Sequence, residues 1–221
     1  TPNNPTAMAV PKSDLMRLAE KLSCHDCLLI IDESFIDFVQ DPALASMEDK
    51  IETYPNIVIF KSMSKAYGIC GLRIGYLLTT NSRFVKAVRQ GVHIWNINGF
   101  AEEFLRILPD YRHAFIKSCD QVKNDRDTLY TDLSQILGLT VYKPDANFLF
   151  CKLPDSGPNA SELTKILFIE HNMYIKDCHG KSMPDADRYV RIAARTKKEN
   201  TNLVNALRSI LENKNKIQRT G

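Results

Sequence analysis

The chain is 221 residues long and 44% hydrophobic, with 29 basic against 26 acidic residues and a net charge of +3. That length and apolar content allow a sizeable core in one large domain or two small ones, and the near-balance of charge gives no reason to expect nucleic acid as a partner. No apolar run approaches the roughly eighteen residues of a membrane span, and Cys27–Ile31 is too short for a signal segment, so a soluble, cytoplasmic protein is expected.

Thr1-Pro2-Asn3-Asn4-Pro5-Thr6 opens the chain without an initiator methionine or a leading helix or strand, which gives the expectation of an N-terminally truncated domain. Residues 13–22 place Leu15, Leu18, Ala19 and Leu22 on one stripe behind Ser13 as N-cap, the pattern of an amphipathic helix. Cys27–Asp32 is a short apolar run ending in an acid, as in a parallel strand buried on both faces. The six cysteines, at 24, 27, 70, 119, 151 and 178, are scattered, which favours reduced thiols. Cys24-His25-Asp26-Cys27 invites a redox or zinc reading, but no second ligand pair stands at a suitable spacing, so ordinary turn cysteines and no metal site are expected.

A second apolar strand is expected at Ile57–Phe60, a polar loop over Lys61–Lys65, and a further strand at Ile74–Leu78. Helices follow at about 83–90 and 98–108, and a long one at about 111–137 has no proline or glycine inside it. Beyond Gly138 the pattern predicts strands at 148–152, 174–177 and 189–193 and helices at 161–171 and 198–212, with a polar loop at 178–187. Strands alternating with helices imply an α/β fold. Residues 1–112 are expected to form part of a large domain with a mainly parallel sheet, and 113–221 a linking helix and a small α+β C-terminal domain.

Several residues point to chemistry. Asp32 ends a strand, where ligands of open α/β sheets bind. A buried carboxylate there needs a cationic partner, for which a protonated pyridine nitrogen would serve; capping the next turn would account for it equally well. Ser62, Ser64, Lys65 and Arg73 offer two hydroxyls, an ammonium and a guanidinium, a set suited to a phosphate dianion with a nucleophilic amine beside it. A polar surface loop with an ordinary ion pair is the alternative reading of the same residues.

Asn3-Asn4-Pro5-Thr6, Asp32-Glu33-Ser34-Phe35, Ser62 through Gly68, Gly71 through Tyr76, Ala146-Asn147-Phe148 and Tyr189 through Ala193 together resemble, in order and spacing, the class I/II aminotransferases of pyridoxal-phosphate (PLP) fold type I. Asp32 through Phe38 and Ile175 through Cys178 are most similar to the branch of histidinol-phosphate aminotransferases and threonine-phosphate decarboxylases. Ile94-Trp95-Asn96-Ile97-Asn98 resembles aminotransferase domains that follow a nucleotidyltransferase domain in one polypeptide. The resemblance implies that Lys65 carries pyridoxal 5'-phosphate as a Schiff base and moves the proton at the substrate α-carbon. It also implies that Asp32 holds the pyridine nitrogen, Asn4 the ring hydroxyl, and Ser62, Ser64 and Arg73 the phosphate. Arg191 matches the residue that grips the substrate α-carboxylate, and Lys176 stands near a position that binds a distal substrate anion.

Two departures bear on the activity. Phe35 replaces a tyrosine common among aminotransferases, as the decarboxylase branch often does, and Lys176 stands where the phosphate-recognising members use arginine. The family's glycine-and-serine phosphate loop, ring-stacking aromatic and N-terminal arm have no counterpart in the sequence. The expected activity is amino transfer between an amino acid, or a phosphorylated or phosphono amine, and a keto or aldehyde acceptor, in a homodimer. Decarboxylation of a phosphorylated amino acid is the nearest alternative, and a non-catalytic regulatory domain of the same fold a more distant one.

Overall fold

Helix α1 (Lys12–Ser23) begins the regular structure, and its Leu15 and Ala19 are buried. It starts one residue earlier than the sequence suggests: Pro11 stands at the N-cap with no side-chain hydrogen bond, and Ser13 lies inside the first turn. The Pro11 carbonyl accepts from the N–H groups of Asp14 (2.9 Å) and Leu15 (3.2 Å) instead. The structure, a computed structural model, describes residues 1–217.

The chain forms two compact units. The first comprises Thr1–Pro2 and Ala9–Asp120; the second comprises Asn3–Met8 and everything from Gln121 onward. The division falls inside the long helix, eight residues beyond the 112/113 boundary expected from the sequence, because a proline-free helix offers no local break to read.

In the first unit, strands β1 (Leu29–Asp32), β2 (Ile57–Ser62) and β3 (Gly75–Leu78) form a sheet in the order β1-β2-β3. β1 and β2 run parallel, with Asp32 opposite Phe60, and β3 is antiparallel to β2, with Gly75 opposite Ser62. Between β1 and β2 lies the short helix α2 (Pro42–Ala45), capped by Asp41. One face of the sheet is the core: Ile31, Ile57 and Ile59 pack with Leu15, Ala19 and Met47. The expectation that β1 is buried on both faces fails at Ile30, which is 59% exposed. Ile30 stands on the face away from that cluster, where its partner on β2, Val58, is fully buried.

Lys61–Lys65 is not a loop. β2 continues to Ser62 and passes directly into a single helical turn, α3 (Met63–Ala66). Its polar side chains hid this, since periodicity cannot be read over one turn. The turn is anchored by a satellite cluster of Met63, Ile74 and Ala101, with Tyr67 and Phe104 packed against it. Tyr67 also stacks on Phe115 at 4.0 Å. Helices α4 (Ser82–Gly91) and α5 (Gly99–Ile107) are each capped by an asparagine, Asn81 and Asn98.

In the second unit, β4 (Thr140–Tyr142), β5 (Phe148–Lys152), β6 (Lys176–Asp177) and β7 (Tyr189–Ala193) form an antiparallel sheet in the order β4-β5-β7-β6. β4 was not anticipated, being only three residues long, and β6 keeps only the last two of the four expected. Helices α6 (Arg112–Ser134), α7 (Ala160–His171) and α8 (Lys197–Ile217) accompany the sheet. One sheet face carries Leu149, Cys151, Val190 and Ile192 into a core with Leu133, Leu163, Leu167 and Leu207. By strand alternation the opposite face carries Phe148, Phe150, Tyr189 and Arg191.

Candidate active site

At the carboxyl ends of β1 and β2 the first unit has a hollow of about 460 Å³, walled in part by Asp32, Ser34, Ser62, Ser64, Arg73 and Gly75. The backbone draws these residues together. Ser62 N–H donates to Ser34 Oγ (2.9 Å), tying the ends of the two parallel strands, and Met63 N–H donates to the Ile74 carbonyl (3.2 Å) across to β3. Gly75 forms a close approach: a Cβ there would lie 2.8 Å from the Lys61 carbonyl oxygen and 3.3 Å from Ser62 Cα. Neither Ser34 nor Gly75 was singled out from the sequence, although both lie inside the motifs that carried the resemblance.

The structure brings Asp32, Ser62, Ser64 and Arg73 into this hollow. Arg73 sits in the left-handed region (φ +53°), directly after a 3-10 turn, and its Nη1 donates to the Cys70 carbonyl at 3.1 Å. Lys65 lies on α3, exposed, one residue past the wall residue Ser64.

Asp32 is not the buried acid expected at the end of β1. Asp32 is exposed, and its Oδ1 accepts from Ser34 N–H at 2.9 Å, the turn-capping role that the sequence left open. The desolvated carboxylate is the next residue. Glu33 has no exposed surface, and its oxygens accept from Ser46 Oγ (2.6 Å) and Met47 N–H (2.8 Å). It anchors the strand end from the core side, and alternation then turns Asp32 toward the hollow. Tyr76, another wall residue, donates to Glu48 Oε1 at 3.1 Å. Burial, with the Glu48 carboxylate beside it, keeps this phenol protonated far above its ordinary range.

In the second unit Asn4, Lys176 and Arg191 come together. Lys176 and Arg191 are directly opposed partners on β6 and β7, so both side chains stand on the face away from the helices. Arg191 Nη1 donates to Asn4 Oδ1 at 2.9 Å, and the guanidinium lies 5.1 Å from the Phe148 ring centroid. Its Nε is buried without a hydrogen-bond partner. Lys176 pairs with Asp177 at 3.8 Å. The sheet thus presents two adjacent cations whose donors are not saturated by protein acceptors.

All six cysteines are free thiols, with Cys24 and Cys27 exposed in the turn after α1. No helix among the described residues is long and apolar enough to cross a membrane.

Two serine hydroxyls, a guanidinium, a strand-end carboxylate and an apolar wall of Phe60, Ile74 and Leu77 line one hollow, a set of groups chemically suited to a phosphate and an apolar ring. The chain belongs to the aminotransferase class I and II family, which matches residues 1–207. Its cofactor is pyridoxal phosphate, and the donor set in the hollow fits that group: hydroxyls and arginine for the phosphate, a carboxylate for the ring nitrogen. The chain is 43% identical over 211 residues to a CMP-5'-(3-aminopropyl)phosphonate synthase from Streptomyces rubellomurinus, covering 96% of this chain and 33% of that protein. It is 35% identical over 218 residues to an L-serine phosphate decarboxylase from Sulfurospirillum multivorans, covering 96% of this chain and 54% of the other. Among solved structures, the histidinol-phosphate aminotransferase from Clostridium acetobutylicum superposes with a TM-score of 0.88 at 29% identity, over 96% of this chain and 63% of that one. The chain therefore spans between a third and two thirds of the length of these relatives.

Proposed function

We propose that this chain is the catalytic part of a PLP-dependent enzyme that removes the α-carboxylate of an amino acid bearing a distal phosphoryl or phosphonyl group. The carrying observation is the opposed pair Lys176 and Arg191, two under-saturated cations side by side on one sheet face, matched to a substrate with two anionic ends. Arg191, steadied by Asn4, binds the α-carboxylate through the fork that lysine lacks, and Lys176 binds the distal anion. Asp32 holds the protonated ring nitrogen with the oxygen that Ser34 leaves free, while Ser62, Ser64 and Arg73 hold the phosphate. Lys65 would hold the cofactor through Nζ and would carry the proton exchanged at the substrate carbon. The bound cofactor supplies an electron sink that weakens the bonds at that carbon.

The sequence reading put amino transfer first. Two relatives shift the weight: one is named as a serine-phosphate decarboxylase, the other for forming a 3-aminopropyl phosphonate. Phe35, which brings no ring-directed hydroxyl, supports the same reading. Amino transfer stands second, favoured by the likeness to the histidinol-phosphate aminotransferase structure. The deciding experiment incubates the full protein, loaded with PLP, with O-phospho-L-serine and O-phospho-L-threonine, and follows carbon dioxide and keto-acid formation together. Carbon dioxide with a stoichiometric amine supports decarboxylation; keto product dependent on an amino acceptor, without carbon dioxide, replaces it with amino transfer.

A further inference from the structure

Arg126 lies in α6, is 3% exposed, and has no part in the chemistry assigned above. Burying a guanidinium is costly unless its donors are used. Here Nε donates to Asp127 Oδ1 at 2.8 Å and Nη1 to the Ala146 carbonyl at 3.2 Å. The chain on the N-terminal side of that carbonyl is engaged in turn: the N–H groups of Asp145 (2.7 Å) and Ala146 (3.2 Å) both donate to the carbonyl of Ala7.

Ala7 is fully buried and left-handed (φ +62°), a conformation that L-residues avoid and that persists only where the surroundings impose it. It closes a compact turn in which Ala7 N–H donates to the Asn3 carbonyl (2.8 Å) and Asn3 N–H to the Met8 carbonyl (2.9 Å). The residue carried on that turn is Asn4, whose Oδ1 holds Arg191.

We propose that Arg126 is a positioning residue for the carboxylate site: by fixing the Ala146 carbonyl it holds the Asp145 and Ala146 N–H groups against the Asn3–Met8 turn, and through Asn4 it sets the direction of the Arg191 fork. This rests on the reading of Arg191 as the carboxylate ligand. Every link lies in the second unit, and the relay uses only hydrogen bonds with defined donors and acceptors.

The test uses the full holoenzyme and two ligands that differ only in the α-carboxylate, O-phospho-L-serine and O-phosphoethanolamine. The readout is the ratio of their dissociation constants, with amide hydrogen exchange of segments 3–8 and 144–148 measured alongside. Arg126→Met should shrink the ratio about tenfold and speed exchange in both segments, whereas Arg126→Lys, which keeps a charged donor, should restore most of the ratio. Arg126→Met combined with Asn4→Ala should lose little more than Asn4→Ala alone, because the two act in series. Should Arg126→Met not fold, Arg126→Gln is read in the same assays. A ratio unchanged in the Arg126 variants while Arg191→Gln collapses it overturns the proposal, as does full additivity with Asn4→Ala. A ratio that Arg191→Gln also leaves unchanged refutes the carboxylate reading itself, and the role of Arg126 with it.

Discussion

Replacing Lys176 by methionine should move stability and binding in opposite directions. Directly opposed like charges on neighbouring strands cost roughly 0.2–1 kcal/mol. Lys176 recovers little of this from Asp177, since their 3.8 Å pair is partly exposed and such pairs contribute little. Lys176→Met should therefore stabilise the ligand-free protein by a few tenths of a kcal/mol, about one or two degrees in Tm for a chain of this size. Losing a charge-assisted hydrogen bond to a phosphoryl group costs about 1.5–3 kcal/mol, a loss of roughly ten- to over a hundredfold in affinity. Thermal melts in phosphate-free buffer and titrations with O-phospho-L-serine and L-serine measure both effects. A lowered Tm, or equal weakening of the two ligands, would show that Lys176 is an ordinary strand lysine and refute the two-anion reading.

Lys65→Ala should abolish turnover and the visible absorption of the bound cofactor while leaving Tm nearly unchanged, because Lys65 is exposed and outside the core clusters; surviving activity would remove it from the centre of the chemistry. Gly75→Ala should cost about 1–3 kcal/mol and weaken PLP binding, since the new Cβ meets backbone at 2.8 Å rather than a movable side chain; unchanged urea midpoints would refute the close-approach argument. Burial holds the thiols of Cys151 and Cys178 and the phenol of Tyr67 protonated above their ordinary ranges. The unfolded chain therefore releases these protons first, and stability should fall as pH rises past about 8.5; a flat or rising midpoint would contradict it. If the protein is a homodimer, the exposed apolar stretch holding Ile94 and Trp95 is the surface to challenge, and Trp95→Asp should shift sedimentation toward monomer.

Much of the fold was legible because long periodic or apolar segments advertise themselves: α1, β2, α7 and β7 stand within a residue or two of where the pattern puts them. The failures share a cause. α3 and β4 are too short to show a period, and the unit boundary lies inside a continuous helix. At the site, residue types and order named Asp32, Ser62, Ser64 and Arg73 as neighbours, and the hollow contains all four. Which of two adjacent acids is buried was not legible, because Asp32 and Glu33 look alike without knowing that Ser46 and Met47 fold back to supply donors. The contact of Asn4 with Arg191 spans 187 residues and has no local signal at all.

Several places where local rules are broken are also places assigned to chemistry. Arg73 occupies a left-handed conformation that L-residues avoid, at the position where its guanidinium joins the hollow. Gly75 brings β3 closer to β2 than any side chain permits, opposite Ser62. Ala7 is left-handed and buried beneath the turn that carries Asn4, and the like-charged Lys176 and Arg191 directly oppose one another. Each feature costs free energy that the neighbouring cores must offset, and none improves packing on its own account. A domain that kept the fold only as a scaffold would be free to relax the backbone and charge features, with glycine at 7 or 73 or a neutral residue at 176. Their joint presence argues for a working site over a retained shell, and it predicts that those relaxing substitutions would cost ligand binding before they cost folding.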